Sequence, residues 1–134
     1  MKLRIKGNSL RLRLARSEVA QLGSAGVVEE IVEFGPSSDQ HFFYTLSTSD
    51  DIETPVATLG DNSILVLLPE RLAREWIQTD RVSISGQQVI RENTTLHILV
   101  EKDFACLAER RDEDYTDSYP NPMPRRHAIA VQGN

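Results

Sequence analysis

At 134 residues, 40% of them hydrophobic and 26% charged, the chain is long enough to build one core without disulfide or metal staples. No apolar run reaches the ~20 residues of a membrane span, the start lacks the charged-then-apolar order of a signal peptide, and the lone Cys106 has no internal disulfide partner, so the pattern excludes a membrane helix and a disulfide scaffold and points to the cytoplasm. The net charge of −5 is polarised: Lys2, Arg4, Lys6, Arg11, Arg13 and Arg16 place +6 on residues 1–16 and leave −11 on the remainder, which disfavours bulk nucleic-acid binding but not a local anion site.

"KLRIK" and "SLRLRL" alternate apolar and basic residues on either side of Gly7-Asn8, a connection that accepts positive φ, and so predict a hairpin over 2–6 and 9–14. Its register sets Leu3, Ile5, Leu10, Leu12 and Leu14 on one face and Lys2, Arg4, Lys6, Arg11 and Arg13 on the other, with Arg4 opposite Arg11. Ser17 can cap a helix of about two turns through Leu22, ended by Gly23. Strands are predicted at 27–34 and 40–46 around the turn-rich "GPSSD", then a polar linker over 47–55. The series restarts with strands at 56–60 and 64–68. A helix opens at Pro69 with Leu72, Ala73, Trp76 and Ile77 on one stripe, and strands follow at 81–86 and 95–101.

One offset of 54 residues relates the two series, mapping Asn8-Ser9 to Asn62-Ser63, Leu12 to Val66, Leu14 to Leu68, Leu22 to Trp76, Val28 to Val82, Phe42 to Leu96 and Tyr44 to Ile98. The predicted fold is therefore mainly β with short α: a tandem-duplicated ββαββ unit forming a small swapped-hairpin-like barrel pseudo-dimer. Residues 1–107 make one domain from repeats 1–46 and 56–101, and 108–134 make an acidic, Pro-containing irregular tail.

The run "DNSILVLLPERLAREW…DRVSI…TLHILV" resembles the swapped-hairpin barrels of the AbrB and MazE type, through Asn62, Ser63, Pro69, Leu72, Trp76, Asp80, Val82 and Ile84. Gly7, Asn8, Ser9, Arg13, Leu14 and Leu22 match in the first copy, where Ala15 replaces the proline. That resemblance implies DNA contacts from Arg4, Lys6, Ser9 and Arg13. The whole chain is also similar to a family of small bacterial proteins without an established activity, through "IKGNSLRLRL" and "LVEKDFACL".

The basic hairpin face is the leading candidate site: Arg4, Lys6, Ser9, Arg11 and Arg13 for an anionic or protein partner. Its plainer alternative is a strand edge kept from aggregating by charge. Thr58, Leu65 and Leu67 stand where the first copy has Arg4, Arg11 and Arg13, so two-fold DNA reading is not favoured, and Leu65 and Leu67 imply a strand covered on both faces. A second candidate is an acidic lid over that face, formed by Glu109, Asp112, Glu113, Asp114 and Asp117. Around "EKDFACL" the residues His97, Glu101, Asp103, Cys106 and His127 lack ligand spacing, an oxyanion feature or a base. Phe104 and Cys106 are expected to close the core, with Glu101 and Asp103 facing basic neighbours. No catalytic residue, metal or cofactor is assigned. The expected function is a non-enzymatic binding module, with a degenerate DNA-binding regulator or antitoxin and a small enzyme acting on phosphorylated ligands through Glu101 and Asp103 as alternatives.

Overall fold

The computed structural model describes residues 1–104, of which Met1–Asp103 form one compact unit. The chain is mainly β. Strands β1 (Lys2–Lys6) and β2 (Ser9–Leu14) form the opening hairpin, turned at Gly7 with φ 56°, and pair Leu3 with Leu12 and Arg4 with Arg11 as the alternation requires. Helix α1 (Arg16–Ala25), strand β3 (Val27–Glu33), a single 3-10 turn (Ser38–Gln40) and strand β4 (His41–Ser49) complete the first half. Strands β5 (Val56–Gly60) and β6 (Ser63–Pro69), helix α2 (Glu70–Gln78), and strands β7 (Ser83–Arg91) and β8 (Thr94–Lys102) repeat that order.

The hairpins are exchanged between the halves. One four-stranded sheet, sheet A, runs β1-β2-β8-β7, and the other, sheet B, runs β3-β4-β6-β5. Each sheet is joined at its centre by a parallel ladder, Ser9 to His97 in sheet A and Ser63 to Phe43 in sheet B. Ser9 and Ser63 lie 54 residues apart, as do Phe43 and His97, so the two junctions correspond position for position. The asparagine of each turn fastens its hairpin to the other half. The backbone carbonyl of Asn8 accepts from the His97 N–H at 3.0 Å, and that of Asn62 accepts from the Phe43 N–H at 2.9 Å. The Asn8 amide also donates to the Thr95 carbonyl at 2.9 Å.

Between sheets and helices lies an entirely apolar core that includes Leu12, Leu14, Leu22, Leu46, Val66, Leu68, Trp76, Ile84, Ile98 and Val100. Corresponding positions share the burial: Leu12 with Val66, Leu14 with Leu68, Val19 with Ala73, and Leu22 with Trp76. Truncating any of the leucines would leave a cavity costing about 2–5 kcal/mol.

Several boundaries depart from the sequence reading. Helix α1 begins after Ala15, not at Ser17, because the Glu18 carboxylate accepts the Ala15 N–H at 2.8 Å while the Ala15 carbonyl accepts from Glu18 and Val19. It runs through Gly23 and ends at Gly26, whose φ of 78° suits a residue without Cβ. Strand β7 starts at Ser83 and continues to Arg91, past the end expected at residue 86. The constant offset also breaks there. Leu46 and Val100 are 54 apart, but their partners Val28 and Ile84 are 56 apart, so Ile84 and not Val82 takes the place of Val28. Val82 is 49% exposed, and its carbonyl is held by the Trp76 indole N–H at 2.9 Å and the Lys102 N–H at 3.1 Å. Leu65 and Leu67 are half-buried, so β6 is not covered on both faces. Phe104, which was expected to be buried, is 56% exposed. Cys106, His127 and the acidic residues Glu109, Asp112, Glu113, Asp114 and Asp117 lie outside the described residues.

Candidate functional site

Because Leu10, Leu12 and Leu14 point inward, Ser9, Arg11 and Arg13 must point to the outer face of sheet A. The ladders extend that face across four strands. Lys6, Ser9, His97 and Gln87 form one row; Arg4, Arg11, Leu99 and Ser85 the next; Lys2, Arg13, Glu101 and Ser83 the third. Five cations thus stand beside the two carboxylates of Glu101 and Asp103.

Those carboxylates take up part of the charge. A single oxygen of Glu101 accepts from Arg13 Nε at 3.1 Å and lies 3.1 Å from Arg13 Nη2 and 3.2 Å from Arg11 Nε. Asp103 lies 3.8 Å from Lys2 Nζ. The expectation that Glu101 and Asp103 face basic neighbours agrees with this geometry. Arg4 and Lys6 are exposed and make no ion pair among the described residues. Arg4 sits directly across from Arg11, a like-charge pairing that by itself destabilises a ladder.

These two cations border a cleft of about 720 Å³, lined by Arg4, Lys6, Ser9 and Arg11 from the first half and by Ser85, Gln87, His97 and Leu99 from the second. Across the cleft, Ser9 stands between Lys6 and His97 in one row, and Leu99 between Arg11 and Ser85 in the next. The Ser9 hydroxyl donates to the Lys6 carbonyl at 2.6 Å, which steadies the turn beneath Lys6. Arg4, Lys6, Ser9 and Arg11 therefore converge, whereas Arg13 stands one row away, held by Glu101. The wall from β7 and β8 escaped the sequence reading. Its signal was the swapped register itself, which brings His97 beside Ser9.

The equivalent outer face of sheet B is different in chemistry. Thr58, Leu65 and Leu67 replace Arg4, Arg11 and Arg13, with Phe43 in place of His97 and Ile31 at 52% exposure on β3. Its charges are acidic, Glu29 and Glu33, with the Glu29 carboxylate accepting from the Thr45 hydroxyl at 3.0 Å.

A separate charged cluster anchors the chain start. The Met1 ammonium pairs with Glu18 and, at 2.8 Å, with Glu30, and the Tyr44 hydroxyl donates to the Met1 carbonyl at 3.0 Å. Burial pulls the ammonium pKa down, but the hydrogen bonds to Glu18 and Glu30 and then their charges outweigh it and raise the value. Burial likewise pushes Glu18 upward, yet its hydrogen bonds from the ammonium and from Ala15, with the ammonium charge, hold it below the ordinary carboxylate value. Burial, then the charges of Glu30 and Glu18, raise Tyr44.

Among the described residues no group of His, Cys, Asp and Glu is placed to hold a metal ion, and no helix is long and apolar enough to cross a membrane. The fold and face together define a mainly β chain of two hairpin-exchanged sheets, cationic on one outer side only. The chain belongs to the Family of unknown function (DUF7009), whose model matches residues 1–123. No curated protein and no solved structure matches it.

Proposed function

We propose that the chain is a non-enzymatic binding module that holds an anionic group, free or on a protein partner, against the outer face of sheet A. The observation that carries this reading is the unequal treatment of the cations. Arg11, Arg13 and Lys2 are matched by Glu101 and Asp103, while Arg4 and Lys6 have no ion-pair partner among the described residues and stand at the rim of a cleft, and Arg4 opposes Arg11. A face built only to discourage edge pairing needs charge but no cleft.

The test uses a property that separates a binding cation from a structural one. Arg4→Ala removes the like-charge opposition, so it should leave stability unchanged or raise it by about 0.2–1 kcal/mol at low salt. The same variant, and Lys6→Ala, should weaken binding of a polyanion such as heparin and flatten its salt dependence. Retained heparin binding with an unchanged salt slope in both variants would count against the reading.

A degenerate regulator of the AbrB and MazE type is the second reading. What favours it is the exchange of hairpins, each Asn-Ser turn fastened to the other half. Against it stands the absence of cations on sheet B at Thr58, Leu65 and Leu67, since a two-fold reader needs both halves charged. Duplex DNA binding that falls steeply with salt would favour this second reading. An enzyme using Glu101 and Asp103 on a metal is less well supported, because Arg11, Arg13 and Lys2 already engage those carboxylates.

A further inference from the structure

The cleft on sheet A has two unlike ends. Resting on the anion-binding reading above, we infer that its ligand is a small phosphate monoester with a planar, hydrogen-bonding body, of the nucleoside 5′-monophosphate class. Charge sets the first half of that description. Arg4 and Lys6 carry two positive charges without an ion-pair partner among the described residues, and Arg11 beside them shares Glu101 with Arg13. A dianionic phosphate monoester balances two cations, whereas one carboxylate would leave one of them uncompensated. A guanidinium and an ammonium are also the two groups best suited to phosphate oxygens, the first by its fork of donors and the second as a point charge.

The far end sets the second half. It carries no lysine, arginine or carboxylate: Ser85 and Gln87 project from β7, and His97 and Leu99 from β8. The Gln87 carboxamide offers a donor and an acceptor together, as the edge of a heterocycle requires, and the His97 ring offers a surface on which a flat group can stack. Leu99 supplies an apolar floor between the ends, in the row that contains Arg4 and Arg11. At about 720 Å³ the cleft falls in the size range of small-molecule sites, roughly 300–1,000 Å³. A bare inorganic anion would use only one end of it. A long polyanion would find no continuation, because the matching face of sheet B presents Thr58, Leu65 and Leu67.

The experiment is calorimetric titration of the full chain at low salt with inorganic phosphate, adenosine, the four ribonucleoside 5′-monophosphates and a short duplex DNA. At least one monophosphate should bind roughly tenfold more tightly than inorganic phosphate, and adenosine more weakly than its monophosphate. Gln87→Ala and His97→Ala should reduce that advantage toward the phosphate level, while Arg4→Ala and Lys6→Ala should weaken phosphate and monophosphates alike. All four residues are exposed, so unchanged circular dichroism should accompany each loss.

Equal affinity for phosphate and every monophosphate, with Arg4→Ala still weakening both, would overturn this inference and leave the anion site standing. An advantage that survives Gln87→Ala and His97→Ala together would also overturn it, as would duplex DNA binding more tightly than any monophosphate. If neither phosphate nor monophosphates bind, or binding ignores Arg4→Ala and Lys6→Ala, the site reading and the inference fall together.

Discussion

At Gly86 the backbone of β7 passes so close to Pro55 that a Cβ there would lie 2.9 Å from the proline Cδ and 3.0 Å from its Cγ. Pro55 is buried and its ring cannot swing away, so Gly86→Ala should cost about 1–3 kcal/mol, read as a lowered denaturant midpoint with unchanged cooperativity. A midpoint equal to that of the parent chain would mean that the 2.9 Å approach relaxes freely. The chain start poses a different residue-level question, because Met1, Glu18 and Glu30 form one charged cluster. Glu18 lies below its ordinary value of 4.5, so its contribution is present above that pH and is lost as pH falls through the lowered value. The Met1 ammonium lies above its ordinary value of 8.0, so its contribution is present below that pH and is lost as pH rises through the raised value. The cluster's contribution to stability should therefore be complete between 4.5 and 8.0 and fall away on both sides. Melting temperature measured against pH should show both limbs in the parent chain and shallower ones in Glu18→Gln. Identical profiles would remove the cluster from the account.

At the scale of elements, the Gln88 side chain acts as a substitute strand. Its carboxamide accepts the Ala57 N–H at 2.8 Å and donates to the Ala57 carbonyl at 3.2 Å, so that β7 of sheet A occupies an edge position of β5 in sheet B. Gln88→Ala should leave both backbone groups of a buried residue unsatisfied and cost about 1–3 kcal/mol, with faster amide exchange at Ala57 as the local signature. Unchanged protection at Ala57 would show that solvent or a neighbour replaces the bridge. Elements of this kind mark the limit of what the sequence carries. The opening hairpin was legible down to its register, since two-residue periodicity and Gly7-Asn8 act locally, and so was the α2 stripe of Ala73 and Trp76. The start of β7 was not, because Val82 is diverted by the Trp76 indole and the Lys102 amide, contacts made across 6 and 20 residues. Half of the candidate site was legible for the same reason. Arg4, Lys6 and Arg11 declare themselves by alternation, but Ser85, Gln87 and His97 join them only through the parallel β2–β8 ladder, between strands some 88 residues apart.

For the molecule as a whole, exchange of hairpins means that neither half owns a sheet. Sheet A needs β1 and β2 from the first half and β7 and β8 from the second, and sheet B needs the converse. The apolar core is correspondingly shared, with Leu12 and Leu14 packed in one cluster with Trp76, Ile84 and Val100. The two outer faces, by contrast, differ in chemistry, one cationic and one apolar with acidic residues. Inner positions of the two halves therefore correspond closely in burial, while outer ones differ in chemistry. Cooperativity should follow the core. Trp76 is fully buried in the second half and is the chain's one tryptophan, so its fluorescence reports a site remote in sequence from the first hairpin. Leu12→Ala, a truncation in the first half at 2% exposure, should cost about 2–5 kcal/mol. Because half-sheets have no independent stability, the urea midpoint of Trp76 fluorescence should shift by the same amount as that of far-ultraviolet circular dichroism. A dichroism transition that moves while the Trp76 transition stays in place would show that the second half holds its core alone. Hairpin exchange would then be only a geometric arrangement and not the basis of folding.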